Sequence, residues 1–185
     1  ARPIYGMTAL ALHEAVPGHH LQITIAQELS SLPTFRRDWG TATSYVEGWA
    51  LYAESLGYET GMYDDPFQRY GALSNEIWRA CRLVVDTGIH YKKWTRQQAV
   101  DFMCEYTPNS EHDVRSEVDR YIAFPGQALA YKIGDIKIKE LRKLAESSLN
   151  GKFNIKDFHD TILGSGALPL NYLEKIVVKW IENVK

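Results

Sequence analysis

The segment His13-Glu14-Ala15-Val16-Pro17-Gly18-His19-His20 places three histidines and a glutamate within eight residues, directly after an apolar run. Imidazole and carboxylate groups are common protein ligands of zinc. The segment resembles the zinc motif H-E-x-x-H, in which two histidines bind the metal and the glutamate is the general base. Pro17 stands where that motif has its second histidine. We therefore predict a metal site here; the alternative is a histidine-rich helix corner without a ligand.

The spacing of the histidines requires a break in the helix. His19 follows His13 by six residues, which is about 9 Å along an unbroken helix. Two nitrogens on one tetrahedral zinc ion are only roughly 3.3 Å apart, because zinc–nitrogen bonds are about 2.0–2.1 Å long. Proline removes a helical hydrogen bond and glycine tolerates unusual dihedral angles. Pro17-Gly18 therefore predicts a kink that returns His19 or His20 towards His13.

Composition and charge argue against a nucleic-acid-binding or membrane-spanning protein. The chain has 185 residues and a net charge of −2, with no basic excess that would indicate a nucleic acid partner. The sequence shows no apolar run of transmembrane length and no signal peptide. Because it starts at Ala1 inside an apolar segment, we expect a portion of a longer chain. Cys81 and Cys104 are expected to be buried apolar residues, and whether they form a disulfide is open.

The pattern is helical nearly throughout and predicts one all-α domain over residues 1–185. Asp65-Pro66 and the Thr95–Gln98 capping box are strong helix starts. A loop is predicted over residues 35–43. After the opening helix, the predicted helices cover residues 21–32, 45–57, 66–90, 96–106, 110–124, 125–149, 154–163 and 173–184.

The helix over residues 66–90 shows two faces. Its apolar face predicts contact with the core and consists of Phe67, Tyr70, Leu73, Ile77, Cys81 and Val84. Its polar line, whose arginines are interpreted as part of a solvated and salt-bridged face, consists of Asn75, Arg79, Arg82, Asp86 and His90. At the end of this helix, His90 is expected to hydrogen-bond Asp86, which would orient its ring.

A hydrolytic zinc site needs a third protein ligand and one open position for water. Glu47 is the first choice, 28 residues after His19, and Glu54, two helical turns further on, is its rival. Two further residues could stabilise an oxyanion opposite the metal, because tyrosine and arginine side chains donate hydrogen bonds to negatively charged oxygen. These residues are Tyr131 and Arg120. The alternative for Tyr131 is a half-buried core residue. His112 and His159 are expected to lie on the surface.

Four segments resemble the bacterial family called domain of unknown function 885. The family pattern H-E-x-x-P-G-H matches residues 13–19, and E-G-W-A-x-Y-x-E matches residues 47–54. D-x-G-x-H matches residues 86–90, and R-Y-x-x-x-P-G-Q-A-L-x-Y matches residues 120–131. The family is similar to the helical gluzincin metallopeptidases, such as angiotensin-converting enzyme, although its Pro-Gly pair departs from their H-E-x-x-H pattern.

The resemblance implies the C-terminal portion of a longer, exported or periplasmic protein. The N-terminal portion would form the other wall of a substrate cleft. The expected function is that of a zinc hydrolase acting on a peptide or another small molecule. His13, His19 and Glu47 would bind Zn²⁺, Glu14 would be the general base, and Tyr131 would stabilise the oxyanion with His90 or Arg120. The alternatives are a non-catalytic or degenerate metal-binding domain, and hydrolysis of a non-peptide ester or amide.

Overall fold

A computed structural model of the chain describes residues 4–38 and 42–185, and it is all-helical over those residues, as predicted. Short 3-10 turns precede α1 at Ile4–Gly6 and follow α8 at Asn150–Lys152. The helices are α1 Met7–Glu14, α2 His19–Glu28, α3 Thr34–Asp38, α4 Thr43–Glu59, α5 Pro66–His90, α6 Arg96–Tyr106, α7 Glu111–Ala123, α8 Gln127–Leu149, α9 Ile155–Leu163 and α10 Leu170–Val184.

Side-chain caps explain why several helices begin where the sequence predicts. The Asp65 carboxylate accepts a hydrogen bond from the backbone nitrogen of Phe67, and Pro66 occupies the first helical position of α5. The same kind of cap opens α6, α7 and α9, through Thr95, Ser110 and Asn154. These starts depend on residues close in sequence, so local chemistry is sufficient to predict them.

The larger core is built around a close crossing of α4 and α8. Gly48 faces Gly134, and a Cβ atom at either position would overlap the backbone of the opposite helix. Glycine at both positions therefore lets the two backbones come together. α9 and α10 complete this core, whose largest buried side chains are Tyr45, Trp49, Tyr52, Phe158, Ile138, Leu141, Ile162 and Leu173.

A second core lies where α5, α6 and α7 meet. The buried faces of α6 and α7 supply Met103 and Val118, and α5 supplies Trp78 and Val85. The start of α8 also contacts this core, through Ala128. α8 is therefore the element that joins both cores.

The predicted orientation of α5 is wrong. Five of the six residues predicted to face the core are at least 39% exposed: Phe67, Tyr70, Leu73, Ile77 and Val84. Arg82, predicted to be solvated, is buried, and Asp86 on the same polar line is buried as well. The buried face is rotated by roughly 100° from the prediction, about one residue position on a helix. The Arg82 Nε donates to the Tyr121 hydroxyl, and Asp86 accepts from the Gly126 backbone nitrogen, so both buried polar groups have partners.

Two boundaries near α3 also differ from the prediction. α2 ends at Glu28 instead of residue 32, because Ser30, Ser31 and Pro33 favour turns over helix. Part of the predicted loop at 35–43 is the short helix α3, in which the Pro33 carbonyl accepts hydrogen bonds from Arg36 and Arg37. Residues 39–41 of that prediction lie outside the described residues.

Two side chains, those of Cys104 and His159, differ in burial from the prediction. Cys104 is exposed on α6, whereas Cys81 is buried as predicted, and both are free thiols. His159 is half-buried rather than on the surface, because α9 packs it against Trp49 and brings its Nε2 2.8 Å from the Tyr52 hydroxyl. His112 is exposed, as predicted.

Over residues 4–38 and 42–185, none of the helices combines the length and apolar character needed to cross a membrane.

Candidate metal centre

His13 at the end of α1, His19 at the start of α2, and Glu47 in α4 converge on one point. One potential ligand atom from each side chain lies within 4.8 Å of the other two. The Glu47 Oε2 is 3.3 Å from the His19 Nε2 and 3.7 Å from the His13 Nε2. His20 is exposed and is not part of this cluster, so the structure brings in His19 of the two alternatives.

The chain break at Pro17-Gly18 makes this convergence possible. α1 ends at Glu14 and α2 begins at His19, and the ring centroids of His13 and His19 are 4.8 Å apart. A Cβ atom at Gly18 would overlap the carbonyl oxygen of His13, so the turn folds back on the end of α1. The Trp49 Nε1 donates to the Pro17 carbonyl at 2.8 Å and ties the turn to α4.

Glu54 holds the His13 ring from behind the cluster. The Glu54 Oε1 is 2.7 Å from the His13 Nδ1, and a carboxylate only accepts, so Nδ1 carries the proton. In the neutral ring this leaves the Nε2 lone pair free on the side of Glu47. The Arg79 Nη2 lies 3.4 Å from the same Glu54 oxygen and compensates part of its buried charge. Glu54, weighed as a rival ligand, is therefore a hydrogen-bond partner of the first histidine.

The charges of the cluster are coupled. Burial alone would raise the pKa of Glu47, but the imidazoles of His13 and His19 outweigh it and lower this pKa to about 2. Burial opposes a charge on His13, yet Glu47 and Glu54 together raise its pKa. Glu47 is thus a carboxylate at neutral pH, the form that binds a metal ion.

These residues fit a zinc ion. The Glu47 oxygen lies 3.3 and 3.7 Å from the two histidine nitrogens, close to the roughly 3.3 Å expected between ligands on a tetrahedral ion. The Glu47 Oε2 is buried and, among the residues that the structure describes, accepts no hydrogen bond. A carboxylate oxygen that is buried between two imidazoles without a hydrogen bond is a group that a cation would satisfy. Two His and one Glu would leave a fourth position open, which is the pattern of catalytic zinc sites.

Tyr131 of α8 lies next to the cluster. Its ring is 6.4 Å from the His13 ring, centroid to centroid, and nearly parallel to it. The Gln127 Nε2 donates to the Tyr131 hydroxyl at 3.3 Å, and the Arg120 Nη1 donates to the Gln127 Oε1 at 2.8 Å. The guanidinium of Arg82 lies 4.6 Å from the Tyr131 ring centroid, within the range of a cation–π contact.

The other predicted residues are placed differently. Glu14 directly follows His13 at the exposed end of α1. The expected bond between His90 and Asp86 is absent, since the His90 Nε2 donates to the Tyr121 carbonyl at 2.9 Å and Asp86 bonds Gly126. The Arg120 guanidinium is held by Glu117 and Gln127, because all three meet where α7 turns into α8.

Sequence reasoning missed Gln127 and Arg82 as neighbours of the site. The four-residue spacing of Gln127 and Tyr131 on one helix face was a usable signal. Arg82 gave no such signal, because it contacts Tyr131 from a different helix, α5, and is distant from it in sequence.

A profile of the bacterial family of unknown function DUF885 matches residues 1–177. No curated protein matches the chain. Among solved structures, a candidate lipoprotein from Colwellia psychrerythraea is similar with 48% identity and a TM-score of 0.95, over 98% of this chain and 31% of that one. A candidate lipoprotein of unknown function from Shewanella oneidensis is similar with 25% identity and a TM-score of 0.86, over 95% of this chain and 32% of that one. The chain therefore spans about a third of the length of these two proteins.

Proposed function

The chain belongs to DUF885, a family of bacterial proteins of unknown function, and from this starting point we propose that it carries the metal centre of a zinc-dependent hydrolase, with peptides as the first candidate substrates. The observation that carries the proposal is the convergence of His13, His19 and Glu47, with the Glu47 Oε2 buried and unpartnered among the described residues. A buried acceptor of this kind between two imidazoles favours a cation ligand over a purely structural polar cluster.

In this proposal His13, His19 and Glu47 hold the ion, and Glu54 keeps the His13 ring in the tautomer that binds. A zinc ion would supply Lewis acidity and lower the pKa of a water molecule to about 7. Glu14, directly after the first ligand, accepts a proton from the attacking water and returns it to the leaving amine. Its exposure keeps the carboxylate open to solvent and substrate.

Tyr131 is the proposed oxyanion donor, because its ring lies beside His13 and its hydroxyl can donate towards a substrate oxygen. Gln127 and Arg120 position that hydroxyl through the chain of hydrogen bonds described above. This modifies the expectation from the sequence. Arg120 now positions Tyr131 instead of contacting substrate, and His90 has no part in the proposal because its Nε2 is bonded to backbone.

The test is metal analysis of the purified full-length protein, followed by turnover assays on a peptide library and on simple esters. We expect about one zinc per chain, hydrolysis of peptide bonds, and loss of hydrolysis on chelation that added zinc restores. His13→Ala and His19→Ala should lose the metal, whereas His112→Ala is the matched control because His112 is an exposed histidine outside the cluster.

The possible outcomes separate the alternatives. Zinc without turnover of either substrate class would indicate a degenerate or purely structural metal centre. Hydrolysis of esters but not peptides would retain the metal chemistry and change the substrate class. A protein that binds no zinc and loses no activity on chelation would overturn the proposal.

Kinship with the gluzincin metallopeptidases and export from the cell are part of the same proposal. Kinship is supported by the His-Glu pair, the later glutamate ligand and the all-helical architecture. Export is supported by the description of the two similar proteins as candidate lipoproteins. Fractionation of cells that produce the full-length protein tests export directly, because a cytoplasmic protein would contradict it.

A further inference from the structure

One side of α5 carries an exposed apolar stripe, which we call the α5 stripe. It consists of Phe67, Tyr70, Leu73, Ile77 and Val84, whose exposed fractions lie between 39% and 72%. Their spacing of three, three, four and seven residues keeps them on one side of the helix. Single exposed apolar residues are common, but a continuous stripe over most of a 25-residue helix indicates an interaction surface.

The α5 stripe continues onto the segment at the start of the described chain. The Tyr5 and Tyr70 rings meet edge to face, with centroids 5.2 Å apart, and this contact holds the 3-10 turn against α5. Ile4 and Met7 are 80% and 60% exposed, and together with Phe67 they line one shallow depression. The apolar surface therefore crosses from α5 to the base of α1.

The opposite side of α5 is already covered. Trp78, Cys81 and Val85 are buried against α6 and α7, and Arg82 and Asp86 bond residues of α7 and the turn before α8. The helix therefore has a complete set of partners on one side. Its most apolar side has none among the described residues beyond the turn at Ile4–Gly6 and α1.

We infer that the α5 stripe is covered by a further portion of the same polypeptide. Two similar solved proteins are about three times as long as the part that this chain matches, so each has a large amount of chain available to cover the stripe. A covalently linked segment also has an entropic advantage over a separate partner, because its effective concentration is in the millimolar range. A second copy of the chain is the competing occupant.

This packing would act on the metal centre through the two helices that it covers. α1 ends in the segment that bears His13, and α5 supplies Arg79 beside Glu54. The covering portion would therefore brace the start of α1, at Met7, and the outer side of α5. The inference does not depend on hydrolysis and can be tested separately from it.

Thiol accessibility in the full-length protein tests the inference. In one variant Leu73→Cys places a thiol in the middle of the stripe, and in a second variant Ser147→Cys places one on the exposed surface of α8. Each protein is treated with a maleimide natively and in denaturant, and peptide mapping by mass spectrometry measures the rate at each cysteine. We expect native labelling at position 73 to be slower than denatured labelling by at least about tenfold.

The control at position 147 should label natively within a few-fold of its denatured rate. Labelling at position 73 that is equally fast in both states would show that the stripe faces solvent and would overturn the inference. Native protection that disappears on dilution, with a dimer seen by light scattering at the protective concentration, would assign the stripe to a second copy and also overturn it. Protection that is independent of concentration in a monomer supports it.

Discussion

Glu14 and Glu54 show how two glutamates near one histidine take different roles. Glu14 follows His13 in sequence and is exposed, whereas Glu54 comes from another helix and is buried against the His13 Nδ1. Exposure leaves a carboxylate free to exchange protons, while burial and a hydrogen bond fix it as an orienting group. The structure shows Glu54 as a hydrogen-bond partner of His13, and the proposed function uses the exposed Glu14 for proton transfer.

The role of Glu14 is tested by Glu14→Gln. Gln keeps the shape of the side chain but cannot accept the proton of the attacking water, so we expect hydrolysis to fall by at least about 10²-fold with zinc retained. Zinc content and peptide turnover are measured together. Glu28→Gln, an exposed glutamate on α2, is the control. Loss of zinc in the Glu14 variant would make Glu14 a ligand and refute the assigned role.

The role of Glu54 is tested by Glu54→Gln. The amide loses the negative charge that supports the His13 ring, so we expect zinc affinity to fall by about 10–100-fold, as is typical for partners of metal ligands. Competition with a chromophoric chelator measures the affinity. Glu59→Gln, on the same helix but paired with Arg142, should leave the affinity unchanged. Equal zinc affinities in the Glu54 and Glu59 variants would mean that Glu54 does not orient the His13 ring.

At the scale of elements, two close backbone approaches set the positions of His13, His19 and Glu47. One is the turn between α1 and α2, where Gly18 lies against the His13 carbonyl, and the other is the crossing of α4 and α8 at Gly48 and Gly134. Both sites leave no space for a side chain. The helices that bear these three residues can therefore reach their positions only with glycine there.

Pro17→Ala/Gly18→Ala tests the turn. Alanine favours helix over proline by about 3 kcal/mol and over glycine by about 1 kcal/mol, so the change removes the local reason for the break. We expect zinc binding to be lost for two reasons. A methyl group at position 18 would overlap the His13 carbonyl in the present turn, and a helix continued through the turn would separate the two histidines. Zinc stoichiometry is measured, together with Tm with and without chelator. A variant that binds zinc as tightly as the parent would show that the break is incidental.

Gly48→Ala tests the crossing of α4 and α8. The added methyl would overlap Gly134, and forcing an extra methyl group into a packed contact costs typically about 1–3 kcal/mol. We therefore expect a clear decrease in Tm and weaker zinc binding, since Glu47 precedes Gly48. Gly151→Ala is the matched control, because a Cβ atom at Gly151 has no neighbour within 4 Å. Similar Tm values for the two variants would contradict the assigned packing.

At the scale of the whole molecule, ion pairs link the long helices across the larger core. The Arg142 guanidinium of α8 forms a bidentate pair with Glu59 of α4, at 2.6 and 2.8 Å, and also donates to the Tyr52 hydroxyl. The hydrogen bonds from Arg142 lower the pKa of Glu59 below its usual value of 4.5. The pair therefore stabilises the fold in its ionised form.

The pH dependence of stability tests this pair. A lowered folded-state pKa contributes stability that is complete above the unfolded pKa and is lost as the pH falls through the folded pKa. We expect Glu59→Gln to lower Tm at pH 7, and the difference from the parent to shrink as the pH falls below about 4.5. Glu182→Gln, exposed on α10, is the control. A difference in Tm that is unchanged at low pH would mean that the charge of Glu59 is not the cause.

The sequence by itself determined the helical class, most helix boundaries, and the group of residues that forms the candidate site. Caps such as Asp65 and Thr95, and breakers such as Pro17-Gly18, act on the backbone within a few residues, so they operate before any tertiary contact forms. The two histidines and the later glutamate can also be predicted from the sequence, because residue type alone shows which side chains are able to bind a metal ion.

Only the tertiary structure decided which side of α5 is buried, which of His19 and His20 joins the cluster, and which glutamate lies beside both histidines. Each of these depends on the neighbour that a helix packs against, and that neighbour is distant in sequence. The most apolar face of α5 is exposed because α7 and the turn before α8 pair with its buried Arg82 and Asp86 instead. A helical pattern shows that a helix has two faces, but the partners available in three dimensions decide which face is covered.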